Sequence, residues 1–529
     1  MTVQASQLED NSRVIAAAER PLTPSIDAVL ARAASTCPEV PAVREWGSGR
    51  ALTYAQLDGA VSSLARWLNA SADLAPGATI AVHLPNSPEF LIAKFAAFRA
   101  GGVAAYVNFR LSATEAARQF KLSGAHVVVT TAEKARMFRE DAALKDMRFV
   151  LSDGGAPLSD SLAEIIASSS SRFSAQPGHE RGDALIRFTS GSTGMPKGVI
   201  VTHRAWLLRA LSILSEEIRI VPQSTTLVLG PLSHQAGLFV LPTFLRCGTL
   251  LLVDKFDVDV VATILSQERI SCSQMVPTML GMMMEAPKSR EALRQAGLHQ
   301  LVYGGSPIRA SLVDELLDLM PETELVHGYG SHEGGSITYL DGAGHRDPAA
   351  RHSAGRPFLA AQIRLARANA DGVGEIEVNA PWLPHARLTE TGRHPIDTPW
   401  VATGDLAEIR DGYVFLRDRL NDVIISGGFN VYPAEVERAI DASSAVRGSV
   451  VVSAPDDRWG ERVVAFVVPR DPQSFDPEAL RLHCRGLLAG YKVPKDICVV
   501  AEIPLNANGK PDRRRMSDPL WEGRSRRIN

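Results

Sequence analysis

The sequence predicts an α/β protein with a large N-terminal part and a smaller C-terminal one. Three observations lead there. Strand-like and helix-like segments alternate through the first 180 residues. At 529 residues, 45% apolar and 22% charged, the chain has the composition of a globular protein with a sizeable core. Near residue 400 the texture changes to short strands and Gly-rich turns, and about 107 residues follow that can form one small α+β unit.

Residues 79–84 form a short apolar strand. Ser87-Pro88 opens a helix, with Ser87 as N-cap and Pro88 at the first helical position; it stops at Gly101-Gly102. Residues 103–107 are the next strand, and Ser112-x-x-Glu115 is a capping box for a helix ending near Gly124. Residues 127–130 are again a strand. Repeats of this length imply parallel pairing. Met275, Met279, Met282, Met283 and Met284 mark either a flexible core helix or an adaptable pocket wall. Strands at 449–453 and 463–468 and a helix near 477–488 belong to the last unit, and the boundary is expected at Asp418 to Asn421.

Charge and cysteines exclude several classes. A net charge of −3 gives no field to attract nucleic acid or an anionic membrane, and the arginine-rich tail reads as a solvated end. Five cysteines, odd in number and without a C-x-x-C pair, argue against a disulfide framework or a structural zinc. Residues 1–20 lack a secretory h-region, and no apolar run is long enough to span a membrane, so a reducing, cytoplasmic home is expected.

The strongest chemical signal lies at Thr189, Ser190, Gly191, Ser192, Thr193, Gly194 and Lys197. A tight Gly/Ser/Thr loop exposes backbone N–H groups and hydroxyls, and the lysine adds a point charge, which together make a phosphate cradle. It is not a Walker A loop: Gly198, not Ser or Thr, follows the lysine, and the flanking segments are strands. A polar hairpin turn is the plain alternative.

This segment resembles the phosphate loop of the adenylate-forming superfamily, which includes acyl-CoA synthetases, peptide-synthetase adenylation domains and firefly luciferase. Further segments match in order: Leu52-Thr-Tyr54, Pro231 to Leu238, Tyr303 to Pro307, Gly328 to Glu333, Thr403-Gly404-Asp405, Arg419 to Glu437, and Pro504 to Lys510. Each alone is weak; seven in order over nearly the whole chain are specific. The resemblance is closest to acyl-CoA synthetases. It implies a β-barrel-like portion in a large domain, 1–418, which binds ATP and the acid, and a small mobile domain, 419–529, which carries a catalytic lysine.

By that resemblance Lys510 bridges the carboxylate and the α-phosphate, Glu333 is the Mg²⁺ ligand, and Tyr329 stacks on adenine. Asp405 accepts from the ribose hydroxyls. Gly305, Ser306, Pro307, Gly328, Gly330 and Arg419 complete the ATP site, and Asn421 stands at the hinge. His332 replaces the usual threonine; its imidazole is expected to reach the α-phosphate in a negative field, with a pH dependence near neutrality. His234, Gln235, Gly237, Phe239, Tyr303 and Ser331 are expected around the acid. Gln235 stands where amino-acid-activating relatives have Asp, so a buried ammonium would be unpaired, and an apolar acyl or aryl acid is expected instead. Gly427 and Gly428 are expected along the coenzyme A tunnel. Only a short tail follows Lys510, so no fused carrier domain is expected, although a free carrier protein could use the same tunnel. The reading is an ATP- and Mg²⁺-dependent acid–CoA ligase, monomer or homodimer. Its rivals are an enzyme serving a carrier protein, a non-catalytic nucleotide-binding relative and, remotely, a light-emitting oxygenase.

Overall fold

The computed structural model describes residues 25–523 except 71, 73, 142–143, 155–158, 169–172, 174–181, 191–195, 307, 427–428 and 507–509. Gly191, Ser192, Thr193, Gly194, Pro307, Gly427 and Gly428 therefore lie outside the described residues, as do the side chains of Thr189, Ser190 and Asn421.

Four sheets organise the described chain, two of nine strands, one of four and one of five. In the first, Thr79–Val82, Val103–Tyr106, Ala125–Thr130, Arg148–Leu151 and Asp183–Ser190 run parallel. The first two are buried at every position, as expected of strands with helices on both faces. Pro196–Thr202 pairs antiparallel with Asp183–Ser190. In the second sheet, Gln300–Gly304 pairs parallel with Glu324–Ser331, and Gly335–Leu340 pairs antiparallel with the latter. The portion expected to be barrel-like is a four-stranded antiparallel sheet: Gln362–Ala366, Gly374–Asn379, Val401–Arg410 and Tyr413–Arg419. The last sheet contains Val446–Asp456 and Gly460–Pro469, with the helix Pro477–Leu487 packed on it.

Local signals act as expected with one exception. Ser112 Oγ accepts the Glu115 N–H, and the Glu115 carboxylate accepts the Ser112 N–H at 3.0 Å. Ser87 occupies the N-cap of Pro88–Arg99, but its side chain makes no capping bond. The neighbouring Asn86 takes the structural role: its Nδ2 donates to the Gly230 and Val253 carbonyls (2.8 and 3.0 Å), and its Oδ1 accepts the Leu232 N–H at 2.9 Å. One amide thus ties the first sheet to the loop that leads into His234. Three of the five methionines resolve toward the core: Met275, Met283 and Met284 are buried with Leu280 and Leu301 in the second apolar cluster, Met279 packs against it half-buried, and Met282 is exposed.

One expectation is overturned. Cys37 and Cys247 form a disulfide, with Cα atoms 6.4 Å apart across 210 positions. Cys37 caps the helix Ile26–Thr36, and Cys247 sits in the turn before the strand Thr249–Leu252. Packing of that helix against Val240–Leu245 brings them together, which no count of cysteines could reveal. Among the described residues no helix is long and apolar enough to cross a membrane.

Candidate functional site

Strand ends and loops from all parts of the fold converge at the junction of the two large sheets. Glu324–Ser331 brings Gly328, Tyr329, Gly330 and Ser331 to one end of the second sheet, with a register shift between Tyr329 and Gly330. A β-carbon at Gly330 would run into the Gly335 carbonyl, so only glycine lets the two strands approach. His234 precedes a short 3-10 helix, Gln235–Phe239. There a β-carbon at Gly237 would strike the Leu232 carbonyl, and glycine is again required.

Asp405 and Arg419 are register partners on the antiparallel strands of the four-stranded sheet. Tyr329 Oη donates to Asp405 Oδ2 at 2.7 Å, and Arg419 Nε lies 3.2 Å from Asp405 Oδ1. The Asp405 N–H is anchored on Thr403 Oγ1 at 3.1 Å. A buried carboxylate is thus held between a phenol and a guanidinium, with hydrogen-bonding capacity to spare.

Lys510 reaches this corner from the far end of the chain. A β-carbon at Gly305 would lie 2.7 Å from Gln235 Oε1 and 3.9 Å from Lys510 Cε, so lysine, glutamine and glycine share one small volume. The Lys510 turn is closed by its own backbone: its N–H donates to Asn506 Oδ1 at 3.2 Å, and its carbonyl accepts the Asn506 N–H at 2.8 Å. Burial and the nearby Arg419 lower the ammonium pKa, while Asp405 acts in the opposite direction.

His332 and His234 meet edge to face, with ring centroids 5.8 Å apart at 81°. His234 Nδ1 is also 3.0 Å from Ser233 Oγ. Burial lowers the His234 pKa to about 4, helped by Arg187, Lys510 and Arg110. Burial also drives His332 well below its ordinary value, helped by Arg187, His234, Lys510 and Arg209. The protein's own charges that bear on His332 are cationic, whereas the expected negative field came from Glu333 and the ATP phosphates. Its neighbours are cations, and both imidazoles are neutral near pH 7.

Gln235 and Gly305 sit with Lys510, Gly237 lies against the Leu232 backbone in the 3-10 helix after His234, and Ser331 Oγ accepts the Gly334 N–H at 2.7 Å. Phe239 is buried in the main core alongside Ala236. Glu333 is close enough for its charge to be felt by Arg187. Lys197 is exposed on the strand Pro196–Thr202. Tyr303 does not join the site, contrary to expectation. Val302 of the same strand packs in the main core, whereas Tyr303 packs in the second cluster on the other face. There it stacks on His327 at 4.7 Å and its hydroxyl lies 3.0 Å from His345 Nε2. Side chains alternate along a strand, and this parity sends Tyr303 away.

Sequence reasoning missed Arg187, whose charge bears on both histidines, and Arg209, whose charge bears on His332. Arg187 interrupts the apolar run 184–188, a charge where a buried strand should have none, and that was the available signal.

The model of the AMP-binding enzyme family matches residues 30–383, and that of the AMP-binding enzyme C-terminal domain matches 435–510. A feruloyl-CoA synthase of an Amycolatopsis species is 35% identical over 490 residues, covering 90% of this chain and 96% of the relative. A fatty acid–[acyl-carrier-protein] ligase, ScoC, of Streptomyces coeruleorubidus is 31% identical, covering 91% and 94%. The o-succinylbenzoate CoA synthetase of Bacillus subtilis, solved with its acyl-adenylate intermediate, superposes with a TM-score of 0.79 at 26% identity, covering 94% of this chain and 99% of that one.

Proposed function

This chain belongs to the AMP-binding enzyme family as an AMP-forming acid–thiol ligase, and we propose that it joins a carboxylic acid to coenzyme A through an acyl-adenylate. The observation that carries the reading is the meeting of Lys510, Gln235 and Gly305 beside the Tyr329–Asp405–Arg419 group.

The carboxylate attacks the α-phosphorus of ATP and pyrophosphate leaves. Asp405 accepts hydrogen bonds from the ribose hydroxyls, and the Tyr329 ring packs on the base. Lys510 sets its ammonium between the incoming carboxylate and the α-phosphate, cancelling charge where two anions must meet. His332 offers one imidazole N–H from its neutral ring. The 189–197 segment holds the departing phosphates, with Lys197 at its end.

Glu333 would hold Mg²⁺. Among the described residues no group of three metal-ligating side chains exists, which suits a cation carried by one carboxylate and the substrate phosphates. Bound there, Mg²⁺ supplies charge neutralisation on the phosphates.

The acid lies against Ala236, Leu238 and Phe239 with its carboxylate toward His332. Gln235 offers an amide where a substrate ammonium would need a carboxylate, which speaks against an α-amino acid. The small domain, from Arg419 onward, then turns about Asn421 to admit the thiol past Gly427 and Gly428. A carrier-protein phosphopantetheine is the second reading, favoured by the likeness to ScoC. The test is pyrophosphate release from ATP over a panel of carboxylic acids, followed by thioester formation on coenzyme A and on a phosphopantetheinylated carrier protein side by side. Release without thioester on coenzyme A would shift the reading to the carrier; no release with any acid would end it.

A further inference from the structure

Behind the two histidines the interior becomes cationic. Tyr106 and Arg187 are register partners on adjacent parallel strands, so their side chains leave the same face of the first sheet. The helix Pro88–Arg99 covers that face and is otherwise built of residues such as Phe90, Leu91, Ile92, Phe95 and Phe98. In its middle stands Lys94, fully buried, with its Nζ 5.6 Å from the Tyr106 ring and 5.5 Å from that of Phe95. Among the described residues neither Lys94 Nζ nor Tyr106 Oη has a hydrogen-bond partner. Arg187 is 5% exposed and lies 5.4 Å from the Trp206 ring; Arg209, 6% exposed, lies 5.5 Å from the same indole.

Two carboxylates face this group. Glu217 opposes Arg209, and Glu333 is felt by Arg187. Neither makes an ion pair with Lys94 or Arg187 among the described residues. Among the described residues Lys94 is a member of this group with no hydrogen-bond partner to offset its charge. A helix that wanted only packing would place leucine or methionine there. A desolvated ammonium without a counterion destabilises the fold unless an anion arrives or the amine gives up its proton. Burial and the adjacent Arg187 accordingly lower its pKa to about 7. Arg187 also bears on His234 and His332, so the cations run inward from the reaction corner rather than forming a separate surface site.

We propose that the acid carries a second carboxylate, received by Lys94, Arg187 and the Tyr106 hydroxyl at the inner end of the acid pocket. This rests on the ligase reading above and narrows its substrate class from apolar acids to dicarboxylic ones. The body of the substrate still packs on Ala236, Leu238 and Phe239, with one carboxylate at Lys510 and the other at Lys94. Such a site rejects the analogue lacking the charged group, because the cations are then left unpaired.

The experiment pairs acids of equal length: hexanedioate with hexanoate, octanedioate with octanoate, and benzene-1,4-dicarboxylate with 4-methylbenzoate. Pyrophosphate release is measured for each, together with the thermal midpoint in the presence of each acid without ATP. In the wild-type protein at least one diacid should exceed its monoacid partner in kcat/KM by about 10²-fold and raise the midpoint when the monoacid does not. Lys94→Met should erase that ratio and that shift. Methionine suits the apolar helix, so the fold should persist, and the midpoint of the unliganded variant reports it. Tyr106→Phe, which removes one oxygen, should lower the ratio by about 3–10-fold. A monoacid preferred in every pair, or a ratio and shift unchanged by Lys94→Met, overturns the proposal while leaving the ligase reading intact. Absence of pyrophosphate release with every acid counts against the ligase reading instead, and the midpoint shifts then decide the subsite alone.

Discussion

Lys510→Ala removes a cation that the C-terminal part contributes to the reaction corner. Its Cε lies 3.9 Å from where a β-carbon of Gly305 would stand, with Gln235 on the same spot. In the proposed complex the ammonium contacts both the carboxylate and the α-phosphate, an ion-pair distance of about 4 Å. At that distance and an effective dielectric of about 20, one charge pair contributes about 4 kcal/mol, or roughly 10³-fold in rate. Loss of a single oxyanion donor elsewhere is of the same order, about 10²–10³-fold. Pyrophosphate release by Lys510→Ala should fall by that factor, while thioester formation from a supplied acyl-adenylate should stay near the wild-type rate. The pH profile is a second readout. The lysine must be charged to act, and burial with Arg419 lowers its pKa. The alkaline limb of kcat/KM for adenylation should then fall off below the ordinary lysine range near ~10.4. Equal losses in the two half-reactions, or a limb at the ordinary position, would refute the placement of Lys510.

His332→Ala should slow adenylation by about 10–10³-fold. Because burial and its cationic neighbours hold the imidazole neutral, the wild-type profile should show no titration of His332 between about pH 6 and 8. A wild-type rate with an altered choice of acids would move His332 to the acid pocket, which its contact with His234 also allows. Asn421→Pro should spare pyrophosphate release and cripple thioester formation, since proline fixes φ within the short turn Leu420–Asp422; equal losses would remove Asn421 as the pivot. Unreduced, denatured protein should titrate three thiols, those of Cys272, Cys484 and Cys498. Cys247→Ser should cost about 2–4 kcal/mol in chemical denaturation, and five titratable thiols would sink the pairing.

What the sequence determined by itself was local. The Ser112/Glu115 capping box, the parallel strand–helix repeats and the paired strands of the C-terminal unit depend on neighbours within a few residues, and they were legible for that reason. The Tyr329, Asp405, Lys510 and His234 segments could be recognised because ordered motifs carry their spacing with them. The tertiary structure decided which face a side chain takes and which charges surround it. Tyr303 turned from the site because its strand is buried on both faces, so hydrophobicity could not tell one from the other. Cys37 and Cys247 met only because a helix packs across 210 positions. Lys94, Arg187 and Arg209 lie 93 and 22 positions apart in the chain but share one interior. Burial and Coulomb energy depend on distance in space, and that quantity came into being only when the two large sheets were packed together.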